Sequence, residues 1–254
     1  MSTKRGEIVL HVPHSSRRIP LEYRRDFLID DDGLEKELLL MTDAYTDEFP
    51  LALEGARAVV FPVSRLLVDV ERFRDDAEEV MSQKGMGAVY TTTHDGRPLK
   101  SLVSGRKEEL LRRFYDPHHA ELACRVRDSL ARHGTCLVLD IHSFPSKPLP
   151  YEFDQSPDRP DICLGTDPFH TPPSMVEDFK VLLEKASFTV KENSPFSGTL
   201  VPSPFFRRTR QVHSMMIEID RSLLMDEASG ERLPVCGRVF EAIAGAIKAL
   251  EEQS

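Results

Sequence analysis

The chain lacks any apolar run of the roughly 18–20 residues needed to span a bilayer. Its opening stretch, "MSTKRGEIVLHVPH", carries charge and turns polar before an adequate apolar region develops, so no signal peptide is expected. Basic charge is in deficit: 33 Lys and Arg stand against 42 Asp and Glu, a net charge of -9. Nucleic-acid binders normally present a basic face, so no nucleic-acid partner is expected, although a local basic pocket for an anionic small molecule fits this balance. Cysteine is scarce and scattered (Cys124, Cys136, Cys163, Cys236) with no CxxC pair, which excludes a zinc knuckle or a redox motif. Reduced thiols in a cytoplasmic protein are the simplest reading. There is no internal repeat and no clean interdomain linker, so residues 1–254 are expected to form one domain. No membrane partner is expected, and no oligomeric state follows from the sequence.

What is present is an alternation of strands and helices. "EIVLHV" (7–12) reads as a first strand, and residues 33–53 have helical spacing, with Leu34, Leu38 and Met41 on one face. "ARAVVFPVS" (56–64) is a second strand. "GMGAVYTTTHDGRPL" suits a hairpin around a His-Asp-Gly turn. Residues 104–132 form a long helical pattern in which Pro117 either kinks the helix or starts a new one. "CLVL" (136–139) is a buried strand that delivers Asp140 and His142 to its end, followed by a proline-rich loop. "DICLGTD" and "SFTVKEN" are short strands flanking a helix at 175–186. "SMMIEID" is a strong apolar strand, and 235–250 is a closing amphipathic helix. The class is therefore α/β with a largely parallel sheet.

Ligands in such sheets bind at the C-terminal ends of the strands. Three strands place unusual residues there: His14 in "VPHSS", Asp140 and His142 in "LDIHS", and Glu218 in "MIEID". "SRLLVDVERF" adds Arg65, Asp69, Glu71 and Arg72. Each has a plainer reading. A lone histidine is commonly a hydrogen-bonded structural residue, and Glu218 can be the buried partner of Arg72 or Arg221. Together they form a kit. Two neutral imidazoles and a carboxylate suit Zn2+, or another divalent metal such as Co2+, with a fourth position open to water. A separate carboxylate can act as general base, and arginines can hold a substrate carboxylate. Asp140 and His142 share a strand face, so Asp140 either orients the imidazole or caps a neighbouring loop.

The motifs "VPHSSRRIP", "MTDAYTDE", "VSRLLVDVERFRDD", "YDPHHAEL", "LDIHSFPS", "DICLGTD", "NSPFSGTLV" and "HSMMIEIDRSLLMDE" resemble, in order, those of the N-formylglutamate amidohydrolases. That family is related in fold to zinc carboxypeptidases and to succinylglutamate desuccinylase/aspartoacylase enzymes. The resemblance implies a three-layer α/β/α architecture of the phosphorylase/hydrolase type, with a central mixed, largely parallel sheet. It also implies a metal-dependent hydrolase of linear amide bonds. His14 and His142 match the zinc-ligand histidines, Glu218 the catalytic glutamate, and Arg72 the arginine that binds the substrate carboxylate. Zinc carboxypeptidases supply a glutamate three residues after the first histidine. Here that position is Arg17, so the carboxylate ligand must come from elsewhere, and Asp43 in "TDAYTDE" is the candidate, unless it merely caps a helix. The family pattern Asp-x-Asn-Arg reads Asp69-Val70-Glu71-Arg72, and Tyr-x-Pro-Tyr-His reads Tyr115-Asp116-Pro117-His118-His119.

The expected reaction is hydrolysis of N-formyl-L-glutamate to glutamate and formate. Arg65, Arg72 and Arg210 are expected to bind this small anionic N-acyl amino acid, and Asp140, His119 and His213 to support the centre. Two enzymatic alternatives use the same centre: a carboxypeptidase, or a hydrolase of another N-acyl amino acid. A third is a non-catalytic anion-binding protein on this fold. A metal-free triad of Ser15 or Ser143 with His142 and Asp140 lacks the G-x-S-x-G elbow.

Overall fold

In the computed structural model of the protein, which describes residues 7–252, six strands form one sheet. They are β1 (Ile8–Val12), β2 (Arg57–Val60), β3 (Cys136–Phe144), β4 (Ile162–Gly165), β5 (Val190–Glu192) and β6 (Val212–Asp220), in the order β2-β1-β3-β6-β4-β5. β2, β1, β3 and β6 are parallel; β4 runs antiparallel to β6, and β5 parallel to β4. The helices are α1 (Leu21–Arg24), α2 (Asp31–Met41), α3 (Phe49–Ala52), α4 (Arg106–Leu110), α5 (Asp116–His133), α6 (Pro173–Lys185) and α7 (Cys236–Glu252). This is the mixed, mostly parallel α/β architecture expected.

Strand alternation sorts the side chains into two faces. Leu10, Leu139 and Ile217 point to one face, where α3, α6 and α7 close a continuous apolar core that includes Phe49, Phe179 and Phe240. Val9, Val138 and Val212 point to the other, under Leu122 and Val126 of α5. A third apolar cluster joins α2, the stretch 61–70 and residues up to Tyr115. It begins where β2 ends, so it stands at the C-terminal end of the parallel strands.

Several elements differ from expectation. The helix at 33–53 stops at Met41, because Thr42 is extended (φ -93°, ψ 133°), and α3 resumes only at Phe49. Asp43 therefore lies in a break between helices. β3 does not end at Leu139; all nine residues through Phe144 are strand and buried. The hairpin at 85–99 reduces to one bridge, Thr92 to Pro98, closed by the Thr93 N–H on the Arg97 carbonyl and the Leu99 N–H on the Thr91 carbonyl. Pro117 breaks nothing. A π-helical turn at Leu111–Tyr115 absorbs an extra residue just before it, and α4, this turn and α5 run on as one rod. The rod stops at Gly134, whose left-handed φ of 79° lets its N–H cap the Leu130 carbonyl.

Candidate functional site

β3 and β6 are paired so that His142 lies directly opposite Glu218. Adjacent strands are about 4.8 Å apart, so the two side chains are neighbours on one face. His14 follows the end of β1, the next strand over. Asp43 is tied to it by backbone: its N–H donates to the His14 carbonyl at 3.0 Å. His14, Asp43, His142 and Glu218, with Arg65, Arg72 and Arg221, all line one cavity of about 920 Å3. The wall formed by residues 195–201 packs tightly onto β4. At Gly165 a side chain would meet the Gly198 carbonyl at 2.2 Å, which is why glycine stands there.

Three ligand-type side chains converge at the base of this cavity. His142 Nδ1 lies 3.2 Å and His14 Nδ1 3.6 Å from Asp43 Oδ2. All three residues are buried, and the potential ligand atoms lie within 4.8 Å of one another. Each is held from behind. His14 Nε2–H donates to Asp69 Oδ1 at 2.8 Å, which leaves its Nδ1 as a buried lone pair with no hydrogen-bond partner. His142 Nε2 is 3.1 Å from Asp140 Oδ1. Asp43 Oδ1 accepts from Arg221 Nη2 at 3.1 Å. Two imidazole nitrogens and one carboxylate oxygen, each oriented by an outer partner, are donors that fit a divalent cation of the Zn2+ type.

The charges are tightly coupled. Burial pushes the Asp43 carboxyl up, but the neighbouring His14 and His142 imidazoles and the Arg221 charge hold it well below the usual carboxylate range. Burial pushes the His142 imidazole down, and the Asp140 and Asp43 carboxylates more than reverse this. Glu218 is different. Burial dominates, Asp43 adds to it, His142 opposes it, and the carboxyl is pushed up to about 8. Its Oε2 is buried without a hydrogen-bond partner among the described residues. The arginine partners considered from sequence serve others: Arg221 pairs with Asp43 and the Ser143 carbonyl, and Arg72 sits 3.6 Å from Asp69.

The other expected site residues divide. Arg65 lines the cavity while donating to Asp69 Oδ2 at 2.9 Å. Arg72 lines it with a buried Nε that has no hydrogen-bond partner. Asp140 is near both candidates named for it: its Oδ1 lies 3.1 Å from His142 Nε2, and its Oδ2 accepts from the Leu200 N–H at 3.4 Å. His119 lines the cavity and donates Nε2–H to the Val70 carbonyl at 2.9 Å. Two expectations are corrected. Arg210 is exposed outside the cavity, its guanidinium over the Phe169 ring; Arg208 is the arginine of that loop which lines the wall. His213 pairs in register with Leu137 at the opposite end of β6, five residues and roughly 17 Å from Glu218 along a strand. It cannot support this centre.

Residues given no role in the site from sequence complete the surroundings. Asp69 anchors His14, Arg65, the Glu71 N–H and the Tyr90 hydroxyl at once. The arginine four residues before it was the available signal. Lys100 is buried and donates to the carbonyls of Leu66 and Leu67, pinning the loop that carries Arg65 and Asp69. His11, on β1, shares the polar face; a histidine in an otherwise apolar strand was its only mark.

A family model described as N-formylglutamate amidohydrolase matches residues 6–225. No curated protein matches the sequence. Among solved structures, the fold is similar to the N-formylglutamate amidohydrolase from Ralstonia eutropha JMP134. That similarity has a TM-score of 0.84 and 22% identity over 99% of this chain and 95% of that one. A gene product of Agrobacterium tumefaciens is similar at a TM-score of 0.68 and 19% identity, over 98% and 93% of the two chains.

Proposed function

The chain belongs to the N-formylglutamate amidohydrolase family, and from that premise we propose that it hydrolyses N-formyl-L-glutamate to L-glutamate and formate at a metal centre of His14, Asp43 and His142. Hydrolysis of amide bonds is the family's activity. The observation that carries the reading is the convergence of those three ligand atoms beside a buried, unpartnered Glu218. When bound there, a divalent cation supplies Lewis acidity, which lowers the pKa of a water and polarises an amide carbonyl.

The chain's own groups do the rest. Arg72, which lines the cavity, takes the substrate carboxylate, and Arg65 lines the same cavity. Glu218 Oε2 accepts the proton of the attacking water. A carboxylate whose proton affinity is raised to about 8 is matched to that task near neutral pH. The same oxygen then passes the proton to the leaving nitrogen.

A panel of N-formyl, N-acetyl and N-succinyl amino acids, assayed after chelation and resupply of Zn2+ or Co2+, tests this. The expected result is metal-dependent release of glutamate from the N-formyl substrate. Hydrolysis of no member of the panel, with metal bound, defeats the reading and favours an anion-binding protein. One observation favours a second reading. A cavity of about 920 Å3 with exposed Phe73 and Phe153 on its lining is at the upper end of what drug-sized ligands occupy. A bulkier N-acyl amino acid or a peptide C-terminus fits it, and the same panel extended to longer acyl groups separates the two.

A further inference from the structure

Next to the first set of ligand atoms lies a second, to which the proposed reaction gives no task. His11 Nδ1 is 2.8 Å from Asp140 Oδ1 and 3.1 Å from Glu71 Oε1. The ligand atoms of His11, Glu71 and Asp140 all lie within 4.8 Å of one another. Three segments supply them: β1, the loop after β2, and β3.

The hydrogen bonds of this cluster do not close. One imidazole nitrogen carries at most one proton, so with a proton on Nδ1 His11 satisfies only one of the two acids, and Asp140 is the nearer. Glu71 Oε1, just as near, is buried and has no hydrogen-bond partner among the described residues. An unsatisfied buried carboxylate oxygen is costly. A cation at the common vertex satisfies both oxygens and the nitrogen together. The far side of His11 suits this. Its Nε2 is 2.8 Å from His118 Nε2. With the His11 proton on Nε2 this bond is donated to His118, and a cation then takes the place of a proton on Nδ1. That tautomer leaves Nδ1 as a lone pair, which is how an outer partner sets a metal-binding imidazole. Glu71 is 17% exposed and lines the cavity, so the vertex has an open side. Glu71 and His118 also stand where the motif patterns have an asparagine and a tyrosine.

We propose that His11, Glu71 and Asp140 form a second divalent-cation site, adjacent to the first and joined to it through Asp140, which also supports His142. One nitrogen and two carboxylate oxygens suit Zn2+ or Mn2+. The site stands on this geometry and not on the identity of the substrate.

Metal stoichiometry tests it on the full chain. Protein is stripped with a chelator, loaded with Zn2+ or with Mn2+, desalted and analysed for metal per chain, with circular dichroism as the control for folding. Two ions per chain are expected in the parent, and one in Glu71→Gln and in His14→Ala. Glu71→Asn, which restores the pattern residue, serves if Glu71→Gln does not fold. A content that these Glu71 variants leave unchanged, whether one ion or two, overturns the proposal and assigns His11 as an imidazolium between two acids. A drop in Glu71→Gln with no change in His14→Ala upholds the second site and removes instead the metal centre of the proposed function.

Discussion

The two faces of β1, β3 and β6 are built from the same strands and share no chemistry. One face presents Leu10, Leu139, Ile141 and Ile217 to α3, α6 and α7, with no charged group in the cluster. The other begins the same way, with Val9, Val138 and Val212 under α5. Toward the C-terminal ends it then changes to His11, Asp140, His142 and Glu218, all buried. Successive residues in a strand therefore hold different duties: alternate positions secure the sheet, and those between them carry the polar side chains. Each can be damaged without the other, because neighbours along a strand point to opposite sides.

The sharpest break is Glu218→Gln. Loss of a general base lowers kcat by about 10²–10⁴-fold, while metal content and unfolding midpoint stay at parent values. Steady-state kinetics beside elemental analysis checks this, and retained turnover makes Glu218 structural. One residue earlier, Ile217→Ala strikes the opposite face. It should cost about 2–5 kcal/mol of stability, as for a truncated core aliphatic, with kcat of the folded fraction unchanged. Urea unfolding measures the first and an assay at low denaturant the second. Asp140→Asn is milder at the His14, Asp43 and His142 centre, since there it alters a neighbour of His142 rather than a ligand. It should weaken metal binding about 10–100-fold, read by competition with a chelator. An unaltered affinity would show that Asp140 serves only His11 and the Leu200 N–H.

The smallest effect lies off both faces. The Glu37 carboxylate hydrogen-bonded to His94 raises that imidazole's pKa, against a smaller loss from partial burial. A group with a raised folded pKa contributes stability that is full below its unfolded value of about 6.5 and lost as pH rises through the folded one. Thermal melts of His94→Gln and parent should differ below that pH and converge above it, without any change in metal content. A difference that persists at high pH would mean that the backbone bond from His94 N–H to Glu37, not the charge, matters there.

Local patterns carried much of this arrangement. His14, His142 and Glu218 each follow or interrupt a strongly apolar strand, and burying such groups is costly enough that their presence marks a site. Asp140 and His142 are two residues apart, so their shared face could be read directly. The failures have equally physical causes. His213 lies on the same strand as Glu218, but periodicity tells a face and not an end. Arg208 and Arg210 occupy a loop with no period, so which one turns inward is decided by packing, here the Phe169 ring under Arg210. His11 meets partners 107 and 129 residues away, and no spacing along β1 signals that. Asp43 was found by elimination, yet its place depends on a helix break that the leucine periodicity ran straight past.

The π turn at Leu111–Tyr115 has a consequence of its own. An α-helix advances about 100° per residue, so one surplus residue leaves the rod out of phase with itself. Leu110 before the turn, and Leu111 and Tyr115 within it, face the cluster around α2; after it Leu122 and Val126 face the sheet. The rod thus works as a coupling between two layers that a regular helix would serve only one at a time. His118 and His119 sit immediately past the slip, so their aim at His11 and Val70 is set by an insertion and not by their own side chains. Deleting a single residue there would swing both rings away with every contact residue still present.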